Sequence, residues 1–161
     1  MTIVVRPKAK MMYMISFALF LGACASQDTV NRIGVLVVAT TKNTVYVGRA
    51  HTLGRRGTFT LESLDDEHVS CSGTFRYHFD NRGRARYRCS DNQSGQLRIM
   101  AEGFIVGAGT GESSEGPVEL VFGYPLKQVN KKLSFPGNQK LVWSGQDILL
   151  VEDGLSDSRN K

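Results

Sequence analysis

The stretch HVSCSGTFRYHFDNRGRARYRCS, from His68 to Ser90, reads as two strands around a turn and decides the fold. Val69, Cys71, Gly73, Phe75 and Tyr77 alternate onto one face of the first strand, and Ala85, Tyr87 and Cys89 onto one face of the second. Setting Cys71 opposite Cys89 puts Phe75 opposite Ala85 and Gly73 opposite Tyr87. Each aromatic ring then meets a small residue, so the apolar face packs without collision. The other face is basic: Arg84, Arg86 and Arg88 alternate along one strand, with Arg76 and His78 on the other. In this register Arg76 faces Arg84, and like charges directly opposite are mildly destabilising. Such a face either is solvated and keeps a sheet edge from pairing, or binds an anion.

Outward from the hairpin the same period of two, or short apolar runs between turn residues, continues to both ends of the chain's middle, with no sustained 3.6 period. Strands are expected at about Ile33 to Thr40, Thr44 to Thr52, Gly57 to Ser63, His68 to His78, Arg84 to Ser90 and Gly95 to Glu102. Further strands are expected at Pro117 to Phe122, Lys132 to Phe135, Leu141 to Trp143 and Ile148 to Val151. Thr41-Lys42-Asn43, Asp65-Asp66-Glu67, Asp80-Asn81-Arg82-Gly83 and Asp91-Asn92-Gln93-Ser94 are turn compositions. Connections this short favour antiparallel neighbours. The expected fold is all-β, an antiparallel meander curling into a small barrel or sandwich with one disulfide.

The first residues carry a different signal. Arg6, Lys8 and Lys10 precede an 11-residue apolar run, Met11 to Leu21, which is followed by small residues. That order is secretory, and the run is about half of the ~20 residues that a membrane-crossing helix needs. Leu21-Gly22-Ala23-Cys24 resembles the lipobox of bacterial lipoproteins. The resemblance implies cleavage after Ala23 and acylation of Cys24, with palmitate-type chains that hold the mature protein on a membrane. Ala25 at the second mature position, where retained lipoproteins often carry Asp, points to the outer membrane with the protein facing the periplasm. Ala23-Cys24-Ala25 also fits an ordinary A-x-A site with cleavage after Ala25.

Acylation of Cys24 leaves Cys71 and Cys89 as an even pair, out of three cysteines, in an oxidising compartment. The expected organisation is a signal peptide over 1–23, a lipid-anchored linker over 24–32, one β domain over 33–153 and a flexible tail over 154–161. Removing 23 residues from 161 leaves 138, and the 20 cations less the three of the leader leave 17 against 15 acids. A net charge of +2 carries no argument for nucleic acid.

Catalytic constellations are sparse. His51, His68 and His78 are scattered, and none stands in a metal-binding spacing. Asp65-Asp66-Glu67-His68 offers acids beside an imidazole, but a charged β turn explains it with less. No G-x-S-x-G is present. Gly107-Ala108-Gly109-Thr110-Gly111 is followed by Glu112 to Pro117, so it reads as a glycine-rich strand end and hairpin loop rather than a phosphate cradle. Phe75, Tyr77, Tyr87, Phe104 and Trp143, at strand spacing, read as core.

The segments Gly57-Thr58-Phe59, Cys71-Ser72-Gly73, Cys89-Ser90-Asp91 and Gly107-Ala108-Gly109, with Val121-Phe122-Gly123, are similar to a pattern in small exported β-rich lipoproteins of Gram-negative bacteria. The glycine spacing also resembles hairpin repeats of the MORN kind. These resemblances imply the fold and no activity. The reading is a non-enzymatic envelope protein, without cofactor, of structural or interaction type. Its partners are the membrane, through Cys24, and an anionic envelope component or protein met by Arg76, Arg84, Arg86 and Arg88. The alternative is an inhibitor or binder of a wall-active enzyme such as lysozyme.

Overall fold

A computed structural model describes residues 33–103 and 105–154. The expectations for the signal peptide, Cys24, the linker, Phe104 and residues 155–161 lie outside the described residues. Eight antiparallel strands form one closed barrel in chain order: β1 (Ile33–Thr40), β2 (Val45–Leu53), β3 (Arg56–Ser63), β4 (Ser70–Tyr77), β5 (Arg82–Cys89), β6 (Ser94–Ala101), β7 (Gly107–Ser113) and β8 (Gly116–Phe122). β8 closes on β1, with Val37 opposite Phe122 and Thr40 opposite Glu119. Helix α1 (Leu126–Lys132) and the hairpin of β9 (Gln139–Ser144) and β10 (Asp147–Glu152) follow.

The hairpin register read from the sequence is the register observed: Cys71 pairs with Cys89, Gly73 with Tyr87, Phe75 with Ala85 and Arg76 with Arg84. Cys71 and Cys89 are joined by a disulfide and both are buried. The loop they close, about 19 residues, is worth roughly 3 kcal/mol on the chain-entropy model.

Eight strands enclose an interior just wide enough for side chains to fill, and here glycines set which ones fit. Gly48 faces Leu61, Gly57 faces Phe75, Gly95 faces Tyr87, and Gly107 faces Phe122. A Cβ at Gly95 would lie 2.5 Å from the Tyr87 ring, and one at Gly109 would lie 2.7 Å from Ile99 Cγ2. The interior is completed by Val37, Ala39, Phe59, Leu97 and Leu120, which form one buried apolar cluster.

That packing explains why Gly107 to Gly111 lies within β7, where a strand end and loop were expected. Gly107, Gly109 and Gly111 face inward against Ala101, Ile99 and Leu97 on one side. On the other side they face Phe122, Leu120 and Val118. The segment supplies the space that its neighbours' large side chains occupy.

A second core lies outside the barrel wall. Val38, Val45 and Val121 point outward and are covered by Leu126, Val129 and Leu133 around α1, and by Leu141 of β9. The strand expected at Lys132 to Phe135 is therefore replaced by a helix that begins earlier, because Leu126, Val129 and Leu133 recur on one helical face. Over seven residues that stripe is too short to register as a sustained 3.6 period. Asn130 fixes the helix to β9, its Nδ2 donating to Leu141 O at 2.8 Å and its Oδ1 accepting from Leu141 N at 2.9 Å. Tyr124 donates to Glu102, and Lys132 Nζ lies 3.5 Å from Glu102 Oε1. The Tyr124 hydrogen bond, followed by the nearby Lys132 charge, holds the Glu102 carboxyl below its ordinary range.

The first strand of the central hairpin is shorter than expected at both ends. Val69 N donates to Asp66 O, and His78 N to Arg82 O, so both ends are spent on turns. Asn92, with φ 72°, takes the left-handed position for which an Asp-Gly turn would use glycine. Asp91 Oδ1 braces it by accepting from Gln93 N at 3.1 Å. Trp143, expected in the core, is 58% exposed at the tip of the β9–β10 hairpin.

Candidate anion-binding face

Because interior and exterior residues alternate, every second residue of β3 to β6 is directed outward. The four arginines expected on one face, Arg76, Arg84, Arg86 and Arg88, are all exposed there. The strand register adds two more. Arg56 of β3 lies opposite Arg76, which lies opposite Arg84, which lies opposite Arg98 of β6. Four arginines thus form one continuous row across four adjacent strands. Arg86 and Arg88 stand on the same outer face in the next two rows, flanked by Thr74 and Gln96 and by Ser72 and Ser94.

Arg56 and Arg98 were missed for identifiable reasons. β3 was expected to begin at Gly57, which left Arg56 in a turn. Arg98 was inside an expected strand, between Leu97 and Ile99, and that alternation already marked it as outward-facing. What the alternation leaves open is which neighbours share its row, and that depends on the β5–β6 register. His78, grouped with these arginines from the sequence, instead lies beyond the end of β4 in the turn to β5.

Among the described residues, the ion pairs within 4.0 Å involve His68, Arg82, Lys132 and Lys140, and none of the six arginines of this face. Six guanidinium groups on one sheet surface therefore lack a carboxylate partner at that distance. The planar guanidinium presents donors in a fork that matches carboxylate and phosphate oxygens. A shallow groove of about 420 Å³ runs over this face, lined by Arg86, Arg88, Ser94, Gln96 and Glu112. Glu112, opposite Gln96, is its acidic boundary.

Other acids gather away from this groove. Asp65, Asp66, Glu67, Asp91 and Glu115 lie in the turns β3–β4, β5–β6 and β7–β8, which share one end of the barrel. Their local roles are structural: Asp65 Oδ2 accepts from Val45 N at 3.1 Å and Asp66 Oδ1 from His68 N at 2.9 Å. The turn reading of this segment holds. The end is also negative enough to act on a neighbour. The Tyr46 phenol is pushed up to about 12, first by burial and then by the charges of Asp91 and Glu115. Tyr77, inside the barrel, rises to about 12 through burial alone.

Among the described residues, no group of three His, Cys, Asp or Glu side chains is placed to hold a metal ion. Nor is any helix among them long and apolar enough to cross a membrane. The barrel itself has an apolar interior and a strongly charged outer wall over β3 to β6, the inverse of the pattern that lipid requires of a spanning barrel. Comparison with family models, with curated proteins and with solved structures finds no match to the chain.

Proposed function

We propose that this chain is a lipid-anchored envelope protein of non-enzymatic, interaction type, which holds an anionic partner against the outer wall of its barrel. Acylated Cys24 anchors it at the outer membrane, facing the periplasm, and Arg56, Arg76, Arg84, Arg86, Arg88 and Arg98 meet the partner's anionic groups. The observation that carries this reading is the arginine row. Three like-charge pairs stand directly across neighbouring strands with no acid in the row between them. Each costs stability in the isolated molecule, and a bound polyanion converts that cost into binding. A filled core supports the reading, since it leaves the outer surface as the place where recognition occurs and makes that surface rigid.

Lipid A phosphates and peptidoglycan carboxylates are the envelope anions within this chemistry. The test is retention of the protein on immobilised lipid A and on peptidoglycan, wild type beside an Arg84→Gln/Arg86→Gln variant. Retention that falls in the variant and declines with added salt supports the reading. Equal retention of both proteins, or none by wild type, removes it. The anchor is tested separately by intact mass of membrane-extracted protein, wild type beside Cys24→Ser. Loss of residues 1–23 with a gain of acyl mass is the expected result, and an unacylated chain beginning at Ser26 contradicts it.

The acidic end favours a second reading, in which the turns bearing Asp65, Asp66, Glu67, Asp91 and Glu115 dock on a cationic wall-active enzyme such as lysozyme. Retention on immobilised lysozyme, abolished by charge-neutral substitutions in those turns and indifferent to Arg84→Gln/Arg86→Gln, would select it.

A further inference from the structure

The end of the barrel opposite the acidic turns carries apolar side chains in the open. Phe79 in the β4–β5 turn is 92% exposed, Leu53 at the end of β2 is 73%, Met100 at the end of β6 is 52% and Ile105 in the β6–β7 loop is 37%. They belong to one surface. Tyr77 N donates to Arg55 O and Ala101 N to Asn81 O, which ties the successive turns of this end together. Cations stand among them: the Arg55 guanidinium lies 3.6 Å from the Phe79 ring centroid and Arg56 pairs across the strands with Leu53, while Arg82, opposite Met100, is ion-paired with Asp80 at 3.7 Å. A phenyl ring and aliphatic chains interleaved with arginine, on turns and the strand ends beside them rather than in a groove, are the composition of a surface that enters the headgroup and upper acyl region of a bilayer.

The chain's own path gives this end its occupant. β1 begins at Ile33, which pairs with Thr52, the residue before Leu53. The polypeptide therefore enters the barrel at the apolar end. Cys24 lies nine residues upstream of Ile33, a reach of at most roughly 30 Å for a fully extended chain. An eight-residue strand is itself about 26 Å long, so an anchor attached there favours this end toward the bilayer. The acidic turns at the other end would be repelled by anionic headgroups, while Arg55 and Arg56 would be attracted to them, the Arg82 charge being balanced by Asp80.

We infer that the Leu53, Phe79, Met100 and Ile105 tip docks into the surface of an anionic phospholipid bilayer and sets the barrel upright on the membrane, with the acidic turns outermost. The occupant follows from the Cys24 anchor of the proposed function, but the docking has a readout of its own. Trp143 is the sole tryptophan, so a Trp143→Phe background accepts single reporters, Phe79→Trp at the tip and Glu67→Trp at the acidic end. The full chain, purified from membranes, is placed in vesicles of phosphatidylethanolamine and phosphatidylglycerol with brominated acyl chains. Docking predicts a blue shift and loss of emission from position 79, and unchanged emission from position 67. Equal emission from the two, or quenching at 67 alone, overturns it. A reporter at 79 that shifts with protein concentration in the absence of vesicles assigns the tip to a second copy and also overturns it. Intact mass keeps the two ideas apart: an acylated chain without quenching at 79 retains the anchor and loses the docking, and an unacylated chain quenched at 79 does the reverse.

Discussion

Replacing Arg84 by Gln should make the folded protein more stable and its anion binding weaker. Arg84 sits between two arginines, Arg76 on β4 and Arg98 on β6, each directly opposite it. A directly opposed like-charge pair costs about 0.2–1 kcal/mol, so neutralising the shared member relieves two such pairs, or about 0.4–2 kcal/mol. All three side chains are exposed and screened by solvent, which puts the gain in the lower half of that range at low ionic strength. The matching rise in melting temperature is a few degrees, on the order of 2–6 °C. Thermal unfolding followed by circular dichroism reads it directly. Near 0.5 M salt the screening length falls to roughly 4 Å, so most of the difference should disappear, and Arg84→Lys should behave as wild type at every salt concentration. A destabilised Arg84→Gln protein at low salt, or a gain that salt does not reduce, would refute the reasoning about the row.

Three further outcomes follow from the core. Cys71→Ser/Cys89→Ser should unfold with about 3 kcal/mol less stability, seen as a lower denaturant midpoint; identical midpoints in non-reducing buffer would show that the bridge does not staple the hairpin. Gly95→Val places a Cβ 2.5 Å from the Tyr87 ring, with two methyl groups attached to it, and overpacking of this kind costs about 1–3 kcal/mol. An unchanged melting temperature would mean that the interior is not filled. The Tyr46 and Tyr77 phenols, ordinarily near 10.0, are raised to about 12 in the fold. The folded state thus holds their protons more tightly, the stabilisation is complete below pH 10, and it is lost as pH rises through about 12. Alkaline titration should show their phenolate absorbance appearing together with unfolding, and a gradual rise near pH 10 with the fold intact would contradict their burial.

Much of the fold was legible in the sequence because strand alternation is local. Val69 to Tyr77 and Ala85 to Cys89 disclose their faces without reference to anything distant, and opposing Cys71 and Cys89 sets the register that the structure has. The glycines of β7 were misread for a complementary reason. Their function is to be small beside Ile99, Leu97 and Phe122, and those partners are identified only once the barrel closes. Helix α1 was invisible because two core positions within a seven-residue element, with Leu133 just past its end, do not make a period. The candidate site divides in the same way. Arg84, Arg86 and Arg88 are one strand's alternation and can be read directly, whereas the Arg56–Arg76–Arg84–Arg98 row is a product of three registers. The apolar tip gathers Leu53, Phe79, Met100 and Ile105 from three chain reversals and the strand ends beside them, which only the closed barrel brings together at one end.

Anion binding by the arginine face is read most directly by an NMR titration of the isotope-labelled protein with a soluble phosphorylated glucosamine disaccharide and, in parallel, with anionic muropeptides. Saturable shifts are expected, concentrated at the backbone amides of Arg76, Arg84, Arg86, Arg88 and Arg98, and reduced in Arg84→Gln/Arg86→Gln and by added salt. Shifts confined to the acidic turns, or no saturable shift with either ligand, would contradict the arginine face as the binding surface.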